Sequence, residues 1–166
     1  PTYDCIKKKW STTSFNNQKE FGDFLMSIFK EPGEYEFDKT VNLWNVSGNK
    51  FTDSGTYCDF SNGTEEYIEY WDTEENKCRL GVIWKNGNKT WYTTRDYYFL
   101  INYYPIVNKE KYQQTTFATI RDVQYHMSLY EKIAECYDLH SVIIKKRQCM
   151  SSVVHTCKLF NFIWFE

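Results

Sequence analysis

Residues 67–104 read YIEYWDTEENKCRLGVIWKNGNKTWYTTRDYYFLINYY and hold 11 aromatic side chains in 38 positions. Aromatic and β-branched residues favour extended backbone, and here they fall into runs of strand length. An acidic stretch at residues 73–76 and the pair Asn86-Gly87 separate these runs. Because both central positions of a type I′ turn need positive φ, Asn-Gly is typical of a two-residue hairpin. The stretch therefore predicts antiparallel strands.

Turn signals on the N-terminal side extend this pattern into a β-meander. Ser47-Gly48-Asn49 and Asn62-Gly63 carry the residues that tight turns prefer. Consecutive strands joined by such short turns usually pair with their neighbours. The predicted strands span residues 34–46, 50–61, 64–72, 77–85 and 88–104.

Counting outward from each turn sets the register of this sheet. Val82 is predicted to face Trp91 across the Asn-Gly turn. Glu69 is predicted to face Leu80 across the acidic turn. Because side chains alternate along a strand, one face collects most of the large apolar groups and is expected to lie inside. That face consists of Cys58, Tyr67, Glu69, Trp71, Cys78, Leu80, Val82, Trp84, Trp91, Thr93, Arg95, Tyr97 and Phe99.

Two segments have helical rather than strand periodicity. Asn17 and Glu20 form a capping-box signature, and Pro32 ends the apolar pattern that follows, which predicts a helix at about 17–30. Apolar residues at spacings of three and four predict a second helix at roughly 119–138, the longest in the chain.

The remaining segments allow the sheet to close. Residues 3–13, 141–148 and 152–165 are rich in β-branched and aromatic side chains and predict up to three further strands. Eight strands are enough for a barrel, which removes exposed edges and leaves room for one small ligand. The predicted fold is mainly β with two helices, an antiparallel meander closing into a barrel. The alternative is an α+β fold, in which an open antiparallel sheet packs against the long helix.

Length and charge limit the class of protein. A chain of 166 residues fits one domain, 1–166, with a substantial core. The formal net charge of -2 gives no field that attracts nucleic acid. No run of about 18 apolar residues is present, so no membrane contact is expected.

The cysteines and sequons predict a secreted protein. An even number of cysteines without a C-x-x-C pair indicates three disulfides that staple the domain, formed in an oxidising compartment from Cys5, Cys58, Cys78, Cys136, Cys149 and Cys157. The register predicts that Cys58 and Cys78 do not bond to each other, because a third strand separates them. Glycosylation sequons at Asn45, Asn62 and Asn88 agree with secretion. The start at Pro1, without an apolar leader, fits a chain whose signal peptide has been removed.

Motifs for catalysis are absent from the sequence. There is no nucleophile elbow, zinc-protease motif, P-loop or dinucleotide fingerprint, so neither an enzyme nor a cofactor is expected. Nothing in the spacing brings His126, His140 and His155 together as an acid and a base. A metal site is also not expected, because the spacing of its candidate ligands is irregular: Cys136, His140, Cys149, His155 and Cys157.

Glu69 is the sharpest candidate for a binding residue. The register places its carboxylate inside the sheet, where a charge needs a partner. One interpretation is a cation site, in which Glu69 pairs with a ligand ammonium and aromatic faces provide cation-π contacts. The other pairs Glu69 with Arg95 or leaves it in water at an open end of the sheet. The predicted ligand-binding residues are Glu69, Tyr67, Trp71, Trp84, Trp91 and Tyr97.

Residues 68–97 read IEYWDTEENKCRLGVIWKNGNKTWYTTRDY, and this stretch resembles the secreted tick salivary lipocalins of the histamine-binding type. In that family an apolar-Tyr strand leads through an acidic turn to a Cys-bearing strand, then to a Trp-containing strand that ends in Thr-Thr-acid-Tyr. The resemblance implies an eight-stranded lipocalin barrel that sequesters host mediators in tick saliva, without catalytic turnover. Trp91 and Asp96 carry over as motif matches, although the register puts Asp96 on the outer face. The matching residues are Tyr70, Asp72, Cys78, Trp91, Thr93, Thr94, Asp96 and Tyr97.

Two functions follow from these observations. The first is a secreted protein that sequesters a small amphipathic or cationic ligand in an aromatic cavity, namely a biogenic amine such as histamine or serotonin, or a lipid mediator. The second is a secreted immunomodulator that binds a host protein, such as a complement component, a cytokine or a chemokine, through Tyr and Trp on its surface.

Overall fold

The computed structural model describes residues 2–4, 9–11, 15–35, 46–86, 88–108, 114–144 and 151–165. Within these ranges the chain forms six helices and six short strands. The helices are α1 (Gln18–Ile28), α2 (Val46–Ser54), α3 (Glu65–Leu80), α4 (Arg95–Asn102), α5 (Asp122–Cys136) and α6 (Ser151–Phe165). The strands are β1 (Thr2–Asp4), β2 (Lys9–Ser11), β3 (Val82–Asn86), β4 (Lys89–Thr93), β5 (Pro105–Asn108) and β6 (Gln114–Phe117).

The strands build a small mixed sheet and a separate hairpin. The four-stranded sheet has the order β2-β1-β3-β4, in which β1 runs antiparallel to β2 and parallel to β3. The strands β5 and β6 pair antiparallel on their own. The outer strands β2 and β4 do not pair with each other, so within the described ranges the sheet stays open. The predicted mainly-β fold and its lipocalin-like barrel are therefore wrong, and the α+β alternative fits in part.

Helix α3 replaces the predicted strand 64–72, the acidic turn after it and the first part of the predicted strand 77–85. The Thr64 hydroxyl accepts a hydrogen bond from the Tyr67 backbone N–H, which caps the first turn. Acidic residues in the first turn and basic residues in the last complement the helix dipole. Gly81 ends the helix with φ at 77°, a conformation that glycine adopts without a Cβ clash. The acidic residues read as a turn are helix-forming residues inside α3.

The hairpin of β3 and β4 is confirmed, with a register shifted by two residues. Val82 pairs with Thr93 rather than with Trp91, and Trp84 pairs with Trp91. Asn86 pairs with Lys89 and is therefore the last strand residue. A shift of two keeps every side chain on its face, so the predicted inner-face residues of this hairpin are all buried.

Both predicted helices are confirmed. The Asn17 side chain caps α1 by accepting from the Glu20 backbone N–H at 2.8 Å. Helix α5 begins at Asp122, three residues after the predicted start, and its 15 residues are one fewer than the 16 of α3. The two helices pack closely at Gly22, where an added Cβ would lie 3.0 Å from the Cβ of Cys136.

Further predicted strands are wrong where the structure describes them. Residues 95–102 and 151–165 are helical as α4 and α6, and residues 46–54 form α2 in place of the first predicted turn. Residues 141–144 form neither helix nor strand. The first terminal segment does contain two strands, β1 and β2. Residues 36–45, which make up most of the first predicted strand, lie outside the described residues.

The described cysteines do not form disulfides. Cys58, Cys78, Cys136 and Cys157 are free thiols, so the predicted three-disulfide framework is wrong for these four. Three of them are buried, where a thiol packs as a small apolar group. Cys5 and Cys149 lie outside the described residues.

An aromatic core joins the hairpin to the helices. The Tyr125 hydroxyl on α5 donates to the Tyr92 carbonyl on β4 at 2.7 Å, and the rings of Trp84 and Trp91 stack at 6.4 Å between centroids. The largest fully buried aromatic residues are Trp84, Trp91, Tyr92, Tyr97, Tyr98 and Tyr125.

Among the helices of the described ranges, none combines the length and the apolar character that crossing a membrane requires.

Candidate ligand-binding site

The predicted ligand residues do not come together in one cavity. Trp84, Trp91 and Tyr97 are at most 1% exposed and belong to the aromatic core. Glu69 and Tyr67 lie on α3, where Tyr67 is half-buried and Glu69 is exposed. Two residues span about 200° around a helix, so Glu69 cannot share a face with Trp71 as it would in a strand. The prediction of an inner carboxylate at Glu69 is wrong, because its segment is helical.

One predicted residue, Trp71, lines a pocket of about 310 Å³ between α3, the end of α4 and the end of α6. This volume lies at the small end of the range for small-molecule sites. Four α3 residues reach the pocket because spacings of three and four put them on one helix face. The pocket is lined by Trp71, Glu74, Glu75, Cys78, Phe99, Tyr103, Trp164 and Phe165.

Glu74 carries a buried carboxylate at this pocket. Its side chain is almost fully enclosed, and its Oε2 atom accepts hydrogen bonds from the hydroxyls of Tyr98 at 2.7 Å and Tyr103 at 2.6 Å. The Ser47 hydroxyl also reaches Oε2, at 3.3 Å. The Oε1 atom forms an ion pair with Lys77. Three donors from α2, from α4 and from the C-cap of α4, and one from α3 itself, therefore hold the carboxylate in place.

Burial fixes the protonation of the neighbouring groups. Burial, and then the charge of Glu74, raises the pKa of Tyr98 and of Tyr103 well above the usual tyrosine range. Both hydroxyls therefore stay protonated and keep donating to Glu74. Burial also raises the pKa of the Cys78 thiol well above its ordinary value, with Glu74 as the second cause. Cys78 is thus a thiol and not a reactive thiolate at neutral pH.

Trp71 supplies an unused hydrogen-bond donor. Its Nε1 atom is buried and has no hydrogen-bond partner among the described residues. Its ring packs edge-on against Tyr70 at 5.3 Å between centroids and against Tyr67 at 6.1 Å. A buried N–H without a partner costs about 1–3 kcal/mol. Trp71 therefore carries a donor that the described residues leave unused.

Aromatic rings make up the other walls. Phe99 packs edge-on against Phe165 at 5.8 Å between centroids and stacks with Tyr103 at 6.2 Å. Trp164 lines the pocket while 78% of its surface faces solvent. The Glu75 carboxylate is half-exposed and pairs with Arg79, with 2.7 Å between Oε1 and Nη2. The pocket therefore combines aromatic faces with two carboxylates, one enclosed and one exposed.

The histidines have separate surroundings. His126 Nδ1 lies 2.7 Å from the Lys30 carbonyl oxygen, and His155 Nε2 lies 2.9 Å from Glu131 Oε1. His140 is exposed. Within the described ranges, no group of three His, Cys, Asp or Glu side chains is placed to hold a metal ion.

Sequence reasoning missed most of this pocket because it assigned the wrong local structure. The sequence does contain a helical spacing for these residues. Trp71, Glu74 and Cys78 in α3 are separated by three and four positions, and Phe99 in α4 lies four positions before Tyr103. Comparisons with family models, with curated proteins and with solved structures found no match for this chain, so the pocket's own residues are the guide to its ligand.

Proposed function

We propose that this protein binds a small aromatic amine in the pocket between α3, α4 and α6. The observation that carries the proposal is the lining of the pocket, which consists of five aromatic residues, two glutamates and Cys78; one of the aromatic residues, Trp71, has a buried indole N–H without a partner among the described residues. The sequence led to the same class of ligand through Glu69, and the carboxylates here are instead Glu74 and Glu75.

The carboxylates favour a cationic ligand. Glu74 and Glu75 line the pocket, whereas Lys77 and Arg79, their ion-pair partners, do not. The lining residues of the pocket therefore include two acidic residues and no basic one. Electron-rich ring faces add cation-π attraction for an ammonium group. A carboxylate ligand would be repelled, which makes a fatty acid or an eicosanoid the poorer candidate among small mediators.

The indole N–H of Trp71 limits the range of candidate ligands further. A molecule that carries a hydrogen-bond acceptor away from its ammonium group satisfies the indole N–H and places its cation toward the carboxylates. Serotonin and histamine have this arrangement, with a hydroxyl or a ring nitrogen as the acceptor. Burial raises the pKa of the Cys78 thiol, so this residue supplies no thiolate nucleophile to the pocket, which favours binding without turnover.

A pair of ligands that share a ring system tests the charge requirement. Isothermal titration calorimetry with tryptamine and with indole-3-propionate compares an ammonium with a carboxylate on the same indole. We expect tryptamine to bind at least about tenfold more tightly, a difference of roughly 1.4 kcal/mol. Equal affinities, or no binding of tryptamine, serotonin or histamine tighter than about 1 mM, contradict the proposal.

Secretion is part of the same proposal. Asn62 and Asn88 begin sequons and are exposed, so both are accessible to a glycosyltransferase, whereas Asn45 lies outside the described residues. Expression through a eukaryotic secretory pathway, followed by glycosidase treatment, should lower the mass of the product. An unchanged mass would remove this support.

A further inference from the structure

Helix α6 has an unusual distribution of polarity. The stripe that faces the rest of the molecule is buried and consists of small or polar residues: Ser151, Val154, Cys157 and Asn161. The last two turns expose large apolar side chains instead. We call this group the α6 tip; it consists of Leu159, Phe160, Phe162, Ile163 and Trp164, and each member is at least 50% exposed.

The exposed residues of α6 change from polar to apolar along the helix. In the first turns of α6 the exposed positions are polar, at Ser152, His155 and Thr156. After Lys158 the exposed positions become apolar on nearly the whole circumference. A helix that is apolar on all sides is typical of one that is buried on all sides. The α6 tip is therefore suited to burial against a further surface.

The size of the tip fits a protein interface. At roughly 200 Å² for each of the five side chains, exposed fractions of 50–78% amount to about 600 Å² of surface. The largest apolar patch on a typical monomer is about 300–600 Å², and a standard interface takes about 800 Å² from each partner. The tip alone thus provides most of one side of a stable interface, and its Trp and Phe content is that of an interface core.

From this area, together with the charge and the shape of the tip, we propose that the occupant is a second copy of this chain. Binding at a lipid surface draws on basic residues beside the apolar face. The one cation in the last two turns of α6, Lys158, is already paired with Glu131 at 2.6 Å. Two copies related by a two-fold axis can pack these tips against each other, because each contributes the same apolar ridge of side chains.

The proposed interface reaches the ligand pocket. Trp164 belongs to the α6 tip and lines the pocket together with its neighbour Phe165. A second copy on the tip would therefore cover the exposed indole of Trp164 at the pocket. Ligand binding and dimerisation are then linked, so a ligand that binds the dimer more tightly increases the dimer fraction. This linkage rests on the proposed ligand function, whereas the dimer itself does not.

Sedimentation velocity of the whole chain, without ligand, tests the dimer. We expect a concentration-dependent dimer, with Leu159→Glu weakening association at least about tenfold. Leu139→Glu is the matched control, because Leu139 is 65% exposed, Leu159 is 59% exposed, and Leu139 lies outside α6. Circular dichroism checks that both variants are folded. If Leu159→Glu does not fold, Leu159→Ser replaces it in the same experiment.

Several results would overturn the proposed dimer. One is a wild-type chain that stays monomeric up to about 100 µM, a concentration at which ordinary weak dimers form. Another is a dimer whose affinity falls equally in both variants. A monomer that cosediments with vesicles through the tip would assign the surface to lipid, and a monomer that does not would assign it to a different protein. If the dimer forms but none of tryptamine, serotonin and histamine binds, the proposed ligand function fails and the interface stands.

Discussion

Glu74 and Glu75 are neighbours in sequence, yet they have different parts in the pocket. Glu74 is buried and held by hydroxyls from Tyr98 and Tyr103, so neutralising it would weaken both hydrogen bonds, and an apolar replacement would leave the hydroxyls without their shared acceptor. Glu75 is half-exposed and has one ion-pair partner, Arg79. Glu75 is therefore the carboxylate whose contribution to ligand binding can be measured without disturbing the fold.

Glu75→Gln should weaken an amine ligand without changing the stability of the protein. An exposed charge contributes a fraction of a kcal/mol, so we expect about threefold weaker tryptamine binding by calorimetry. Glu69→Gln is the matched control, since Glu69 lies on the same helix, is exposed and does not line the pocket. Equal effects of the two substitutions would show that the general charge of α3, and not Glu75, attracts the ligand.

Trp71→Phe tests the unpartnered indole N–H. The substitution keeps an aromatic ring but removes the donor, so serotonin and histamine should bind about fivefold more weakly, the value of one neutral hydrogen bond. A ligand without the second acceptor, such as phenethylamine, should lose less. The free protein should change little in stability, because the lost ring area is offset by removing an unsatisfied buried N–H. A uniform loss for all amines would mean that the ring, and not its N–H, contacts the ligand.

At the scale of elements, local signals predicted some parts of the fold and misled on others. The Asn17 cap and the apolar spacing after it indicated α1, and the two-residue alternation of Val82 and Trp84 indicated β3. These signals depend on neighbouring residues alone. The segments of α4 and α6 carry aromatic and β-branched residues that strands also favour, and in the structure these two helices pack against each other and against α3.

The sequence predicts less of the candidate site than of the fold. Trp71 was predicted, but from a strand register that placed Glu69 beside it instead of Glu74. Trp164 and Phe165 were assigned to a strand, so their position at the pocket was invisible. A pocket between elements distant in sequence depends on how those elements pack, and no local pattern encodes that packing.

A substitution at Gly81 tests how α3 ends. This helix covers residues for which the sequence predicted mainly strand. Its φ of 77° with ψ of -178° is open almost only to glycine, and an added Cβ would meet the Tyr92 hydroxyl and the Thr93 carbonyl oxygen closer than van der Waals contact allows. We expect Gly81→Ala to lower the free energy of unfolding by about 3 kcal/mol or more in urea titrations. Gly63→Ala is the control, because its φ is also positive but nothing lies within 4 Å, and about 1 kcal/mol is expected.

At the scale of the whole molecule, the surplus of aromatic residues has three uses. One set forms the core around the hairpin, where Trp84 and Tyr125 are fully buried. A second set lines the pocket, and the third forms the exposed α6 tip. Trp164 belongs to both the pocket and the tip, so the proposed ligand site and the proposed dimer interface share this residue.

The packing of α4 against α6 also buries a carboxyl group, and this makes stability depend on pH. Burial is the main cause that raises the pKa of Asp96, and Lys158 opposes it while Glu131 adds to it. Below the usual aspartate pKa both the folded and unfolded states are protonated, so burial of the neutral acid costs little. As pH rises, the unfolded state ionises first, and the free energy of unfolding falls until the folded pKa is passed.

Asp96→Asn should remove this pH dependence. Because the amide cannot ionise, the variant should gain stability over the wild type between the usual aspartate pKa and neutral pH, and the difference should level off above the raised pKa of Asp96. Urea unfolding at a series of pH values measures it. Asp72→Asn is the control, since Asp72 is exposed on α3 and should leave the profile unchanged. If Asp96→Asn instead lost stability as pH rose, the ionised carboxylate would be a net stabilising group, and the burial of Asp96 between α4 and α6 would have to be less complete than the packing indicates.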